Sequence, residues 1–252
     1  KGALLKLHAP TPPLPEQEKI AEILSIWDEA LEKLDALIDA KERRKKGLMQ
    51  QLLSGRKRLG SGSVAWPVVR LGDVAKNVAD ANKGRMGGAQ LYGVTKADGV
   101  VPMREHVKGA DFSRCKHVEP NWFAYNPMRI NIGSIARWRG NQTVMVSGDY
   151  VVFRCLEKKL LPSYLDHFRQ TDRWQYFMKV AGNGSVRVRI YFHDLAELRF
   201  PCPPVDEQKP IADLLDTCDA ELSLLRRERD TLDLQKRGLM QRLLTGRIRV
   251  HP

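Results

Sequence analysis

The side chains best suited to chemistry in this sequence are basic residues in two stretches free of acidic ones. Between Glu119 and Asp149 lie Arg129, Arg137 and Arg139, and between Asp172 and Asp194 lie Arg173, Lys179, Arg187 and Arg189. Asn131, Ser134, Asn141, Gln142, Asn183 and Ser185 stand among them in glycine-rich segments, where backbone and short side chains can approach a ligand closely. A guanidinium binds phosphate as a charge and guanine as a bidentate donor, and Asn or Gln binds adenine. The set therefore has the equipment to read DNA. Its candidate contact residues are Arg129, Asn131, Ser134, Arg137, Arg139, Asn183, Ser185, Arg187 and Arg189. A single arginine is as readily a surface ion pair, so the weight rests on the group.

Motifs for catalysis are incomplete. Asn126-Pro127-Met128 starts like an amino-methyltransferase signature but lacks its second proline and aromatic residue, and no glycine-rich cofactor loop follows a strand. Glu207-Gln208-Lys209 resembles half of a nuclease site, yet no suitably placed Asp precedes it, and the start of a helix accounts for it better. The six histidines have no convincing Ser or Cys partner. Cys115, Cys155, Cys202 and Cys218 form no CxxC pair, and Cys115 with His117 finds no second pair at ligand spacing. The expectation is a chain without catalysis or bound metal, its thiols reduced.

Charge agrees with a polyanionic partner. The 252 residues carry a formal charge of +12, and residues 66 to 200 hold 21 Lys and Arg against 12 Asp and Glu. No apolar run approaches the roughly 20 residues of a membrane helix and no secretory leader opens the chain, so a cytoplasmic protein without a membrane partner is expected.

What must position these residues is visible as an internal repeat. At an offset of 191 residues, Pro12 to Gln17 falls on Pro203 to Gln208, and Lys46-Gly-Leu-Met-Gln-Gln-Leu-Leu-Ser-Gly-Arg56 falls on Arg237-Gly-Leu-Met-Gln-Arg-Leu-Leu-Thr-Gly-Arg247. Each copy reads as a long helix after a proline-rich start, stopped by Gly55 or Gly246, with Pro210 placed in a first turn. Ile20, Leu24, Trp27, Leu31, Leu34, Ile38, Lys41, Lys45, Leu48 and Leu52 follow steps of four and three, as do Ile211, Leu215, Cys218, Leu222, Leu225, Arg229, Leu232, Lys236, Leu239 and Leu243. That is a heptad seam, offered by each helix to a similar partner. Residues 16 to 40 carry eight acidic and two basic residues, and residues 41 to 58 eight basic and one acidic. Antiparallel packing sets opposite charges side by side.

Between the copies, residues 66 to 201 read as an α+β domain. Strands are expected on either side of Ser147-Gly148-Asp149 and over Val186 to Phe192, and a helix over Pro162 to Val180. The expected fold class is α+β, a globular α/β domain plus two long helices forming an antiparallel coiled coil. The expected organisation is 1–12 closing a preceding domain, 13–59 the first helix, 60–65 a linker, 66–201 the globular domain and 202–250 the second helix.

The segments "PPLPEQEKIAEIL" and "PPVDEQKPIADLL", leading to "KGLMQQLLSG" and "RGLMQRLLTG", resemble the central repeats of type I restriction-modification specificity subunits. The intervening "WPVVRLGDV", "YNPMRINIGSIARW", "SGDYVVFR" and "VRIYFHDLAELRFPCPP" look like one of that family's target-recognition domains. The resemblance implies a non-catalytic subunit that reads half of a split site in double-stranded DNA and docks modification and restriction subunits. S-adenosylmethionine then belongs to the methyltransferase partner, and ATP and Mg to the restriction subunit. The family carries two recognition domains and only one is seen here. That leaves a fragment of a longer subunit, or a half-subunit forming a homodimer through its helices. The rival reading is a coiled-coil adaptor without sequence selectivity.

Overall fold

The computed structural model describes residues 11–60, 65–103, 111–181 and 189–251. Its elements are, in chain order, α1 (Leu14–Leu52), β1 (Val68–Arg70), α2 (Leu71–Val74), β2 (Ala75–Val78), β3 (Leu91–Thr95), β4 (Gly99–Pro102), β5 (Lys116–Val118), β6 (Phe123–Tyr125), β7 (Ile135–Arg137), β8 (Val144–Val146), β9 (Val151–Cys155), α3 (Pro162–Phe168), α4 (Asp172–Ala181), α5 (Phe192–Leu195), β10 (Arg199–Pro201) and α6 (Val205–Leu244). The described residues fall into two compact units. One joins the chain up to Gly47 with the chain from Thr217, and the other is Leu48–Asp216.

In the first unit α1 and α6 run antiparallel, because ion pairs match ascending numbers on one helix to descending numbers on the other. Asp28 pairs with Lys236, Asp35 with Arg229, Glu42 with Arg226 and Lys45 with Asp219. Opposite charge halves do meet. Ile20, Leu31, Ile38, Leu222 and Leu243 are buried, while Leu24, Trp27, Leu34, Leu225 and Leu239 are half-buried, on the stride of four and three. The helix ends belonging to the other unit bury Leu52, Ile211 and Leu215 and half-bury Leu48.

The repeat extends to single bonds. The Pro13 carbonyl accepts the amides of Glu16 and Gln17, and the Pro204 carbonyl those of Glu207 and Gln208. Gly55 (φ 75°) and Gly246 (φ 69°) turn the chain left-handed at the helix stops, where a side chain would be strained. Arg249 makes two 2.7 Å bonds to Glu16, and Arg58, its repeat counterpart, pairs with Glu207, the counterpart of Glu16. Each arginine thus clasps the start of the opposite helix. Pro210 is the sixth residue of α6, a turn further inside than the sequence suggests, because the Pro204 carbonyl starts the helix early.

The second unit has three layers. One four-stranded sheet is ordered β2-β9-β6-β7 and the other β4-β3-β8-β5, with β3 and β8 parallel. Alternation along the strands explains the stacking. Ala124, Ala136 and Val152 of the first sheet and Val94, Val118, Val144 and Val146 of the second form one small-residue core. Phe123, Tyr125, Ile135, Val151 and Phe153 point the other way, into a larger core with Leu165, Phe168, Trp174, Leu52, Leu53, Ile211 and Leu215. This is why the unit takes in residues 48–53 and 205–216, beyond Trp66 and Pro201. The ends of the intervening region meet in a ribbon, where Val68, Val69 and Arg70 pair with Pro201, Phe200 and Arg199.

The strands expected on either side of Ser147-Gly148-Asp149 form as β8 and β9, while two other local expectations change. The turn at Ser147-Gly148-Asp149 passes the chain from one sheet to the other, and a Cβ on Gly148 would come within 2.5 Å of the Arg114 carbonyl. The helix expected over Pro162 to Val180 breaks into α3 and α4 at 169–171, where the Thr171 hydroxyl donates to the Phe168 carbonyl. Of the expected strand Val186 to Phe192, residues 186–188 lie outside the described residues and Phe192 opens α5.

Candidate nucleic-acid interface

The β6–β7 hairpin is closed by the loop 126–134, whose polar groups are largely spent on bracing it. The Asn126 Oδ1 accepts the Met128 amide at 2.9 Å, and the Asn126 amide donates to the Ser134 carbonyl at 3.1 Å. Arg129 donates its amide to Asn126 and accepts those of Ile132 and Ser134 on its carbonyl. Ile130, 2% exposed, pins the loop into the large core. Gly133 (φ 100°) lies against the side chain of Lys96, 3.0 Å from where a Cβ would stand. What remains outside is Met128, Arg129, Asn131 and Ile132, all exposed.

This loop draws in part of the second basic stretch. The Ile190 amide donates to the Pro127 carbonyl at 3.0 Å, setting Arg189 and Tyr191, both exposed, beside the loop. The side chains of Arg129, Asn131 and Arg189 hold no ion pair or hydrogen bond among the described residues. Asn183, Ser185 and Arg187 lie outside the described residues. Ser134 is buried, and its hydroxyl donates to the Val94 carbonyl at 2.9 Å; it anchors the loop and does not reach solvent.

Arg137 and Arg139 stand at the other end of β7, in a different environment. Asp166 of α3, 1% exposed, accepts from Arg137 Nε (3.3 Å), Arg139 Nη2 (2.7 Å) and Arg169 Nε (2.7 Å). Burial pushes the Asp166 carboxyl up, but Arg169 and Arg139 outweigh it and hold the group below the usual carboxylate range. His167 Nε2 lies 3.0 Å from Asp216 Oδ1, and Arg139 Nη2 is 3.9 Å from the same carboxylate. Of the nine candidates, Arg129, Asn131 and Arg189 stand at a solvent-facing loop, Ser134 anchors that loop from inside, Arg137 and Arg139 join an arginine cluster on a buried aspartate, and the other three lie outside the described residues.

Asp166 and Lys96 were not singled out from sequence, since nothing in the spacing says that an aspartate inside α3 faces arginines 27 and 29 residues earlier. The residues of the two incomplete motifs make contacts within the fold. Asn126 caps its own loop, and Glu207 binds Arg58 and accepts from Trp66 Nε1 at 3.2 Å. Gln208 is fully buried, accepting the Leu161 amide (2.7 Å) and donating to the Lys159 and Pro203 carbonyls (both 2.8 Å).

Long helices running antiparallel, with a layered α+β unit inserted in the chain between them, define the class. The specificity subunit from M. genitalium has this fold, with a TM-score of 0.60 at 16% identity over 92% of this chain and 61% of that one. HsdS from Thermoanaerobacter tengcongensis gives 0.53 at 18% identity over 95% and 61%. Residues 63–233 match the type I restriction modification DNA specificity domain, and the chain belongs to that family. Over 98% of its length it is 26% identical to the Methanocaldococcus jannaschii protein assigned as the MjaX type I restriction enzyme specificity subunit. With the MjaVIII specificity subunit of the same organism it shares 22% over 97%. It spans about three fifths of the length of these relatives, 60% and 63%.

Proposed function

We propose that this chain is the non-catalytic, DNA-reading part of a type I restriction-modification specificity subunit. Residues 66–201 act as its recognition domain, reading one half of a split site, and the long helices dock the modification and restriction subunits. The observation that carries the reading is the braced loop 126–134, which holds Arg129 and Asn131 in solvent beside Arg189. A loop fixed before binding spends little conformational entropy when its side chains meet bases. Co-expression with a methyltransferase subunit, followed by mapping of methylated adenines, tests it. The expected result is one short methylated motif that is lost or relaxed in Arg129→Ala and Arg189→Ala; an unchanged motif in both variants overturns the assignment.

We infer further that a second recognition domain packs against the first unit. Supporting this is an apolar groove of about 470 Å³ in the first unit, lined by Ile20, Ala21, Leu24, Leu243 and Leu244. Their repeat counterparts Ile211, Ala212, Leu215, Leu52 and Leu53 are at most 2% exposed in the core of the second unit, whereas Leu244 is 56% exposed. A homodimer would fill the groove with a second copy. It should then prefer an inverted repeat to a direct repeat, as light scattering and duplex binding would show. A dimer preferring the direct repeat contradicts the symmetry.

A further inference from the structure

Met128 is 49% exposed and Ile132 62% exposed, although Ile130 between them is buried. Both stand on a loop whose backbone is fixed by the bonds of Asn126, Arg129 and Ser134, so neither can fold back under cover without breaking them. Their surroundings are basic, with Lys96 against Gly133 and Arg129 and Arg189 alongside. Asp98 and Asp194 keep their charge, and against them the three basic side chains leave the surroundings net positive. Asp98 lies 3.4 Å from the Thr95 hydroxyl, and Asp194 accepts the Tyr191 amide at 2.9 Å. An apolar pair held rigidly in water inside a cationic rim suits a partner that is anionic outside and apolar within. A DNA duplex is such a partner, with stacked bases behind its phosphates.

We propose, resting on the DNA-reading function above, that Ile132 with Met128 is an apolar wedge that enters between base pairs and unstacks one step of the duplex. Arg129 and Asn131 both lie between the two apolar residues along the loop. Donors of this kind read the acceptors of the minor groove while aliphatic side chains part the step beside them. The wedge makes the sequence's own stiffness part of what is read. Pyrimidine–purine steps, which unstack most easily, are favoured at that position even where no base edge is touched.

The test begins by selecting duplexes from a random pool with the purified chain. 2-Aminopurine is then placed at successive positions of the selected duplex. Binding of the parent chain should raise fluorescence several-fold at one step. Ile132→Ala should lose that rise and bind about tenfold more weakly, from the lost burial of one aliphatic side chain. Ile132→Leu should retain both. Circular dichroism confirms that the exposed substitution leaves the fold intact. If DNA is selected but no position responds and Ile132→Ala binds like the parent, the wedge is wrong and the patch faces another partner. If replacing one thymine by uracil reproduces the loss seen in Ile132→Ala, the contact is to a methyl group and the wedge again fails. A chain that selects no duplex removes the DNA reading itself, and the wedge with it.

Discussion

Asp166→Asn probes the buried centre of the arginine cluster while preserving its volume. The substitution removes one negative charge that faces Arg137, Arg139 and Arg169 at 3.3, 2.7 and 2.7 Å. Breaking a fully buried pair costs about 3–5 kcal/mol. Here the Arg139 side chain is 54% exposed and water can solvate it, whereas Arg137 and Arg169 are 12% and 22% exposed. The loss should therefore be smaller, about 2–3 kcal/mol at pH 7. Urea unfolding followed by tryptophan fluorescence reports it, because Trp174 is buried in the same core. The pH dependence gives a second handle. Asp166 has a folded pKa below its ordinary 3.8, so its charge stabilises the fold above the unfolded value, and that stability is lost as pH falls through the folded one. The gap between parent and variant should be full at pH 6 to 7 and should narrow once pH drops below about 4. A gap under about 0.5 kcal/mol at pH 7, or one of constant size down to acid unfolding, would refute the reasoning.

Gln208→Ala should cost about 2–3 kcal/mol by leaving the Leu161 amide and two carbonyls unpaired. Its repeat counterpart Gln17→Ala, exposed and with its side chain, among the described residues, bonded to the Pro12 carbonyl, should stay within about 0.5 kcal/mol in the same denaturation assay. Leu222→Asp, at a seam position 4% exposed, should lower the helical thermal midpoint by the equivalent of about 3 kcal/mol or more. Leu224→Asp, at a site 60% exposed, should leave it nearly unchanged. In a native thiol titration at pH 8, half-buried Cys218 should react first. Cys202, pushed up to about 11 by burial, and Cys155, raised by burial further still, should react only on unfolding.

The long helices could be read from sequence because their signal is redundant. A 191-residue repeat, a seam of apolar residues and a reversal of charge at residue 41 each constrain the same two elements. The layered unit was less legible. Its strands are three to five residues long, too short for a period to declare itself, and the contact between its sheets depends on Ala124 and Ala136 being small enough for close approach. Side-chain direction was the other gap. Arg129 and Arg139 look alike in sequence, yet one stands in solvent and the other lies on Asp166, whose partnership comes from tertiary packing. Ser134 turns inward for the same reason, its hydroxyl claimed by a carbonyl 40 residues earlier in the chain.

The ribbon of β1 and β10 has a mechanical meaning. Its strands lie side by side and antiparallel, and the chain leaves both from the same end, where the Cys202 amide donates to the Pro67 carbonyl at 2.9 Å. Tension applied through Trp66 and Cys202 would load these bonds one after another, as in unzipping, not all at once as in shear. Such a joint yields at low force, starting with that outermost bond and Val68–Pro201. The peeling front then meets Leu71, Leu198 and Phe200, at most 1% exposed, where each further step must also expose buried apolar surface. The ribbon is a fuse with an early stop, giving way at its outermost pair, Val68–Pro201, before Phe200 in the next pair brings the buried core into play.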